Sequence, residues 1–189
     1  MGITTLFIIS APSGAGKTTL ITRILPLFPD IIYSVSCTTR SPRPGEEHGI
    51  DYHFLSQREF RQMIDQQNLL EWKEVHGNLY GTPGEPVRQA LLKGQSVLLD
   101  IDVQGAKEVF SKMPDAVGIF ILPPDFETLE QRLRSRGTES EEKIRTRLGN
   151  ARKEAGAEKL FKHHVTNLDL EEAVRELTAI VQNELTGKR

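Results

Sequence analysis

The stretch TLFIISAPSGAGKTTLI, residues 5–21, decides the fold, because a glycine-rich turn joins an apolar run to a helical pattern. The run 5–10 predicts a buried strand, and the segment 17–28 predicts a helix. Between them, Gly14 and Gly16 allow consecutive backbone N–H groups to curl inward at the positive end of the helix. The stretch therefore predicts a strand, a phosphate-binding loop and a helix in direct succession.

Position 11 departs from the usual pattern G-x-x-x-x-G-K-[ST], because Ala11 stands where that pattern has its first glycine. A small Cβ is tolerated at a strand exit if φ stays negative. Lys17 supplies the charge for the β- and γ-phosphates, and Thr18 is the predicted Mg²⁺ ligand. The alternative is a glycine-rich turn that binds nothing, but the strand before it and the helix after it favour a nucleotide site. The loop alone does not separate a kinase from a switch GTPase or an ATPase.

The rest of the chain repeats the alternation of strands and helices. Continuous apolar runs at 96–101 and 116–123 are typical of parallel strands buried on both faces, and a weaker strand is predicted at 163–167. Helical patterns are found at 103–112, 125–136, 140–156 and 169–185. This alternation predicts an α/β fold with a doubly wound parallel sheet.

Two segments interrupt the alternation and are predicted to be insertions. Residues 37–90 contain short strands and loops, and one strand at 33–39 leads into them. A capping box at Ser56 opens one helix there, and a second helix is predicted to have Pro83 at its first position. Charged helical sequence around 130–155 predicts the second, mobile insertion.

Composition excludes several classes of protein. A length of 189 residues suits one domain. With a formal net charge of −2, the chain lacks the bulk positive charge of a protein that coats nucleic acid. Cys37 is the only cysteine, which excludes an intrachain disulfide and a zinc site built from cysteines. The first apolar run is too short for a membrane span and is interpreted as a core strand rather than a signal peptide. We expect a cytoplasmic protein with no nucleic-acid or membrane partner, and either a monomer or a homo-oligomer.

Two polar clusters outside the loop suggest an acceptor site. Arg40, Arg43 and Tyr52 belong to a proline-stiffened loop, and two guanidinium groups with a phenol suit a phosphate monoester; the alternative is a solvated surface loop. Asp100 and Asp102 end a buried strand, at the edge where doubly wound sheets bind ligands. A carboxylate there can assist Mg²⁺ or a base, although Asp102 is equally a candidate for the cap of the next helix.

A third cluster is rich in arginine and contains Arg132, Arg134, Arg136, Arg145 and Arg147. Arg132 and Arg136 lie four residues apart and so share one side of a helix. Arginines on a closing segment would stabilise the charge that phosphoryl transfer spreads over oxygen atoms; the alternative is a solvated face paired with nearby glutamates. The three clusters together indicate an enzyme that moves phosphate from a triphosphate to a monophosphate. A switch GTPase is disfavoured, because the chain has no N-K-x-D-like motif late in its sequence.

These residues resemble the guanylate kinase family, specifically its short single-domain bacterial type. The matching stretches cover about residues 5–150 and are SAPSGAGKTTL, VSCTTRSPRPGEEHGIDYHF, LLEWKEVHGNLYGTP, LLDIDVQGA and RLRSRGTESEEKIRTRL. The resemblance implies a P-loop NTPase-type parallel sheet core flanked by helices, made of residues 1–36, 91–125 and 156–189. It further implies a GMP-binding lobe at about 37–90 and a helical lid at about 126–155. The implied reaction is transfer of the γ-phosphate of MgATP to GMP, and to dGMP, in purine nucleotide metabolism.

The resemblance also assigns roles to individual residues. The GMP phosphate is assigned to Arg40, Arg43, Tyr52 and Tyr80. The guanine base is assigned to Ser36, Glu71, Thr82 and Asp100. ATP is assigned to Ala11, Pro12, Ser13, Gly14, Ala15, Gly16, Lys17, Thr18 and Thr19, with Thr18 on Mg²⁺ and Asn167 near the adenine edge. The catalytic set implied is Lys17, Arg40 and the lid arginines Arg132, Arg136 and Arg147.

Two other functions stay open at this point. One is a non-catalytic module of guanylate-kinase type that binds a phosphopeptide, which the retention of Lys17 and Thr18 disfavours. The other is a kinase that acts on a different acceptor base, such as AMP or dTMP. The weakest match to the family is AGAEKLFKHHVTNLD, residues 155–169, where His163 and His164 are predicted to be structural or exposed rather than metal ligands.

Overall fold

The computed structural model describes residues 2–75, 77–135 and 141–187, except for the side chains of residues 132, 135, 143, 153 and 155. The strands are β1 (Leu6–Ser10), β2 (Ile32–Tyr33), β3 (Cys37–Thr38), β4 (His53–Phe54), β5 (Leu69–Val75), β6 (Asn78–Pro83), β7 (Val97–Asp100), β8 (Val117–Leu122) and β9 (His163–Thr166). The α-helices are α1 (Lys17–Ile24), α2 (Gln57–Asp65), α3 (Gly84–Leu92), α4 (Val103–Lys112), α5 (Phe126–Ser135), α6 (Glu141–Ala155) and α7 (Leu170–Thr186). None of the helices in these described ranges is long and apolar enough to cross a membrane.

The central strand β1 belongs to a sheet of five parallel strands, in the order β2, β7, β1, β8 and β9. Phe7, Ile8 and Ile9 are fully buried, because helices cover both faces of this core sheet. Phe7 and Ile9 pack with residues of α1 and α7, whereas Ile8 packs with residues of α3 and α4. Burial on both faces explains the continuous apolar runs, and the predicted α/β fold with a parallel sheet is confirmed.

The middle of the chain forms a smaller sheet with the strand order β4, β3, β6 and β5. β5 and β6 form an antiparallel hairpin, while β3 pairs with β6 antiparallel and with β4 parallel. The apolar core of this sheet consists of Cys37, Phe60, Leu69 and Leu79. The predicted capping box opens α2, with reciprocal hydrogen bonds between Ser56 and Glu59. The smaller sheet therefore has a core of its own, beside that of the parallel sheet.

Three element boundaries differ from the sequence predictions. The single strand predicted at 33–39 is two strands, because the chain leaves the core sheet after Ser34 and joins the smaller sheet at β3. The first helix ends at Ile24, since Pro26 has no N–H to continue it, and a 3₁₀ turn follows. Pro83 is the N-cap of α3 rather than its first helical residue, because β6 runs through that position.

Helices α5 and α6 pack on each other and rest on the loop that follows β1. Their shared apolar cluster consists of Leu129, Leu133, Ile144 and Ala151. A Cβ added at Gly14 of the loop would lie 2.9 Å from Leu129 Cδ1 and 3.0 Å from Leu133 Cδ2. The fold thus brings this helical pair directly against the loop.

Candidate active site

The loop of residues 11–16 joins β1 to α1, as the sequence predicts. Gly14 and Gly16 both have φ of +94°, a left-handed conformation that favours glycine. The Ala15 N–H donates to the Pro12 carbonyl at 3.1 Å and closes a tight turn. The N-cap residue of α1 is Gly16, which has no side chain to cap the helix, so the first turn can offer its N–H groups and its positive end to an anion.

Ala11 occupies the strand exit without disturbing the loop. Its side chain is buried and packs with Phe7 and Ile9 in the main core. In the described ranges, Gln67 is the one non-glycine residue with a positive φ, so the φ of Ala11 is not in that region. The prediction that a small Cβ is tolerated at this position is confirmed.

Lys17 reaches from α1 to the carboxyl end of β7. Its Nζ lies 2.6 Å from Asp100 Oδ1 and donates to the Ile101 carbonyl at 2.9 Å. The two side chains are mostly buried, with 20% and 17% exposure. Asp100, which was expected beside the base, is therefore in contact with the lysine of the phosphate loop.

A cleft of about 390 Å³ is lined by residues of both sheets. Seven of the residues that the family resemblance assigns to the site line it, namely Lys17, Thr18, Ser36, Tyr52, Glu71, Tyr80 and Asp100. Tyr33, Asp51 and Lys73 also line it, and the sequence analysis missed all three as site residues. Thr18 is exposed in the first turn of α1, whereas the hydroxyl of Thr82 lies behind the cleft wall. The structure thus gathers some of the predicted donor residues and some of the predicted acceptor residues around one opening.

Glu71 is a buried carboxylate in the wall of the cleft, with 5% exposure. The Thr82 hydroxyl, which is also buried, donates to Glu71 Oε1 at 2.6 Å. A Cβ added at Gly105 would lie 2.8 Å from Glu71 Oε2, so α4 begins against this carboxylate. Burial raises the pKa of Glu71, and the hydrogen bond from Thr82 opposes that rise without cancelling it.

Asp102 serves as the N-cap of α4 and also lines the cleft. Its Oδ1 accepts a hydrogen bond from the Gly105 N–H at 2.9 Å, and its Oδ2 pairs with Lys73 Nζ. Burial works to raise the pKa of Asp102, but the Gly105 bond and Lys73 together hold it below its usual value. Of the two roles considered for Asp102, the cap is confirmed, and its position in the cleft wall adds to that role.

Arg40 lies beside Tyr52, which lines the cleft, in a network of charged groups and aromatic rings. Its guanidinium forms two hydrogen bonds of 2.9 Å with the Glu46 carboxylate and lies 5.5 Å from the centre of the Tyr52 ring. Tyr52 and Tyr80 meet edge to face, with ring centres 6.1 Å apart. The Arg43 side chain is exposed, and its backbone N–H donates to the same Glu46 carboxylate at 2.7 Å. Glu46 therefore fixes the loop that presents both arginines.

Helix α6 contacts the phosphate loop through two side chains on one face. Arg147 Nε donates to Ser13 Oγ at 2.8 Å, and the Ser13 N–H donates to Glu154 Oε2 at 3.3 Å. The predicted roles of Arg136 and of the Arg132 side chain lie outside the described residues. Arg134 is exposed and pairs with Glu130 and Glu141, as the solvated alternative for this cluster requires.

Asn167 is buried beside the phosphate loop. Its Nδ2 donates to the Ala15 carbonyl at 2.8 Å, and a Cβ added at Gly16 would lie 2.3 Å from that nitrogen. The structure thus places Asn167 where it braces the loop. His163 Nε2 lies 2.7 Å from Glu184 Oε1, and Nε2 of the exposed His164 lies 2.9 Å from the Glu158 carbonyl oxygen. Both histidines therefore contact protein groups.

Lys73 is the missed residue that a sequence signal could have found. Side chains of a strand alternate between its faces, so residue 73 shares a face with residue 71. Once Glu71 is assigned to the cleft, Lys73 follows from this alternation, and so does Val75. Tyr33 ends the short strand β2, and Asp51 lies in the turn before β4. The sequence carries no comparable signal for the position of either residue in the cleft.

A phosphate loop between the central strand and first helix of a parallel sheet defines a nucleotide-binding protein of the P-loop class. The cleft beside this loop is also lined by residues of the second sheet, whose strands lie between β2 and β7 in the sequence. The sequence profile of the guanylate kinase family, described as "Guanylate kinase", matches residues 3–184. The chain belongs to the guanylate kinase family.

Individual relatives agree with this assignment. The chain is 51% identical to a guanylate kinase of Neisseria gonorrhoeae over 176 residues, covering 93% of this chain and 86% of that one. It is 45% identical to a guanylate kinase of a Synechococcus species over 183 residues, covering 97% of this chain and 84% of that one. The crystal structure of guanylate kinase from Anaplasma phagocytophilum matches with a TM-score of 0.79 at 32% identity, covering 97% of this chain and 87% of that one.

Proposed function

We propose that this chain transfers the γ-phosphate of MgATP to GMP, giving ADP and GDP, and that dGMP is also an acceptor. The observation that carries the proposal is the cleft itself, in which the lysine of a phosphate loop and a buried carboxylate, held by the Thr82 hydroxyl, line one cavity. The first group suits a triphosphate, and the second suits a base that donates hydrogen bonds. Membership of the guanylate kinase family supports the same reaction.

Glu71 and Thr82 are proposed to recognise the base. Guanine presents its N1–H and N2–H₂ groups as neighbouring donors, which one carboxylate can accept together, whereas adenine presents an acceptor at N1. The Thr82 hydroxyl fixes the orientation of the carboxylate, and Ser36 and Asp100 line the cleft nearby. A site whose buried polar groups are left unpaired by the wrong base can discriminate by about 10⁴–10⁵-fold.

Arg40, Arg43, Tyr52 and Tyr80 are proposed to hold the phosphate of GMP. The Glu46 carboxylate already engages the Arg40 fork, as a phosphate with its bidentate oxygens would. The two phenols line the cleft in contact with each other, and Arg40 lies against the Tyr52 ring. Base and phosphate groups together would fix GMP at both ends.

The phosphate loop, residues 11–19, is proposed to hold ATP, with Lys17 on the β- and γ-phosphates and Arg147 alongside. The loop fits a triphosphate, because the N-cap residue of α1 is a glycine and Thr18 is exposed beside Lys17 in the cleft. Thr18 Oγ1 would hold Mg²⁺, which when bound neutralises charge on the transferred phosphate. Arg132 and Arg136 complete the proposed set, and Asn167 supports the loop from behind.

In the proposed mechanism, an oxygen of the GMP phosphate attacks the γ-phosphorus of ATP in line with the leaving oxygen. The attacking phosphate is already an anion near neutral pH, so the residues are not required to supply a strong base. Lys17 and the arginines position the two nucleotides and neutralise developing charge. Closure of the lobe, about residues 37–90, and the lid, about 126–155, would exclude water and prevent ATP hydrolysis.

We further place this reaction in purine nucleotide metabolism and GMP recycling in the cytoplasm. The one cysteine, Cys37, is a buried free thiol, and burial raises its pKa to about 12. An unpaired thiol suits a reducing compartment.

The deciding experiment measures ADP formation from MgATP with GMP, dGMP, AMP, UMP and dTMP supplied separately. We expect turnover with GMP and dGMP, and a kcat/KM for AMP lower by about 10⁴-fold. Equal rates with AMP and GMP would overturn the assignment of the base. Absence of turnover with every acceptor would instead favour a module that binds phosphopeptides.

A further inference from the structure

Lys73 is a charged residue of the cleft to which neither the sequence analysis nor the proposed reaction gives a role. It lies on β5 two residues after Glu71, and both side chains face the cleft, whereas Trp72 between them is exposed on the other face. Lys73 Nζ pairs with Asp102 Oδ2, which belongs to the N-cap of α4. The pair therefore joins the smaller sheet to the core across the cleft.

This ion pair closes a ring of contacts around Glu71. Asp102 holds Lys73 with one oxygen and the Gly105 N–H with the other, at 2.9 Å for the latter. Gly105 in turn lies against Glu71, since a Cβ there would be 2.8 Å from Glu71 Oε2. The ring runs from Glu71 along β5 to Lys73, across to Asp102, and back through Gly105. The Lys73–Asp102 pair thus ties β5 to the start of α4 beside the Glu71 carboxylate, while Lys112 ties the same two elements further along α4, at the Leu70 carbonyl.

Charge balance in the cleft points the same way. Asp100 is neutralised by Lys17, and Asp102 is neutralised by Lys73. Without Lys73, the Asp102 carboxylate would face Glu71 and an incoming nucleotide phosphate with no partner of opposite charge on β5. Nearby negative charges repel one another, so the unpaired Asp102 carboxylate would disfavour both an ionised Glu71 and a bound phosphate.

We propose that Lys73 is a positioning residue that sets the selectivity for the acceptor base, by holding Glu71 in place through its ion pair with Asp102. The proposal rests on the proposed function, in which Glu71 accepts the hydrogen bonds of guanine. Because the Lys73 and Asp102 side chains are 37% and 27% exposed, the pair contributes little to overall stability. Its effect should be on GMP, and it should leave ATP almost unchanged.

The test compares Lys73→Met and Lys73→Arg with wild type, and uses Lys107→Met on the exposed face of α4 as the matched control. We expect Lys73→Met to raise the KM for GMP by about tenfold, with kcat and the KM for ATP within about threefold. The ratio of kcat/KM for GMP to that for AMP should fall, and Lys73→Arg should restore most of it. Lys107→Met should behave as wild type.

A second variant separates positioning from a general loss of structure. Asp102→Asn keeps a favourable N-cap residue for α4 but removes the negative charge that Lys73→Met would leave without its lysine partner. In the Lys73→Met background it should therefore recover part of the lost GMP affinity, so that the two substitutions are not additive.

The proposal is overturned if Lys73→Met leaves the KM for GMP and the base ratio unchanged. It is also overturned if kcat and both KM values worsen together with a lowered melting temperature, since that would indicate a structural role only. Wild-type enzyme that fails to prefer GMP would overturn the proposed function instead, so the two failures are distinguishable.

Discussion

Glu71 combines a cost to the free protein with a gain for the proposed ligand. Its carboxylate is buried and accepts a hydrogen bond from the Thr82 hydroxyl. Burial raises its pKa, so the folded chain holds the proton more tightly than the unfolded chain does. The free energy of unfolding therefore decreases as pH rises from the ordinary glutamate range through the raised pKa of Glu71. Near neutral pH the buried ionised side chain lowers the stability of the free protein, and hydrogen bonds from guanine would offset this cost.

We expect Glu71→Gln to stabilise the ligand-free protein near neutral pH by on the order of 1 kcal/mol, while GMP affinity falls. Glutamine keeps an oxygen acceptor for Thr82 and removes the buried charge. Urea denaturation at about pH 5 and about pH 8 should show a weaker pH dependence than wild type, and calorimetry should show the loss of GMP binding. Glu74→Gln, an exposed change on β5, is the control. A variant less stable than wild type near neutral pH would contradict the prediction.

At the scale of elements, the phosphate loop is held from two sides. Asn167, which follows β9, donates to the Ala15 carbonyl, and α6 contacts Ser13 through Arg147 and Glu154. These supports lie far away in sequence, because Asn167 and Ala15 are separated by 152 residues. A loop fixed in this way is preorganised for phosphate groups, which lowers the ordering cost of binding.

Gly16→Ala should damage this loop for two reasons. Its φ of +94° is unfavourable for alanine, and the new Cβ would lie 2.3 Å from Asn167 Nδ2. We expect a loss of stability of about 1–3 kcal/mol together with weakened ATP binding, measured by denaturation and calorimetry. Gly149→Ala is the matched control: apart from its chain neighbours and the backbone of its own helix, no atom of the described residues lies within 4 Å of its added Cβ in α6. Its stability should therefore rise by about 0.5–1 kcal/mol. Equal effects of the two substitutions would refute the argument.

For the whole molecule, sequence reasoning succeeds where function depends on neighbours along the chain. The strand, loop and helix around Ala11 and Lys17 are contiguous, so their pattern predicts both the fold class and a nucleotide site. It fails where the chain changes sheets after Ser34, because a switch of strand partner is decided by distant pairing rather than by local pattern. The Lys73–Asp102 contact likewise joins residues that are 29 positions apart. Lys73 lies on β5 of the smaller sheet and Asp102 follows β7 of the core sheet, so the sequence does not reveal their contact.

The division of the cleft between two sheets leads to a prediction for the whole enzyme. Lys17 belongs to the core side, whereas Glu71, Tyr52 and Tyr80 belong to the side of the smaller sheet. Lys17→Met should therefore reduce turnover by at least about 10³-fold, since charge neutralisation on the transferred phosphate is lost, while GMP binding changes only a few-fold. The few-fold change in GMP binding reflects Asp100, whose carboxylate loses the Lys17 ammonium group 2.6 Å away. Steady-state kinetics and GMP calorimetry on the same preparation, with Lys93→Met as a surface control, measure both quantities. Retained turnover would remove Lys17 from the donor site, and loss of GMP binding would show that the two half-sites are not separate.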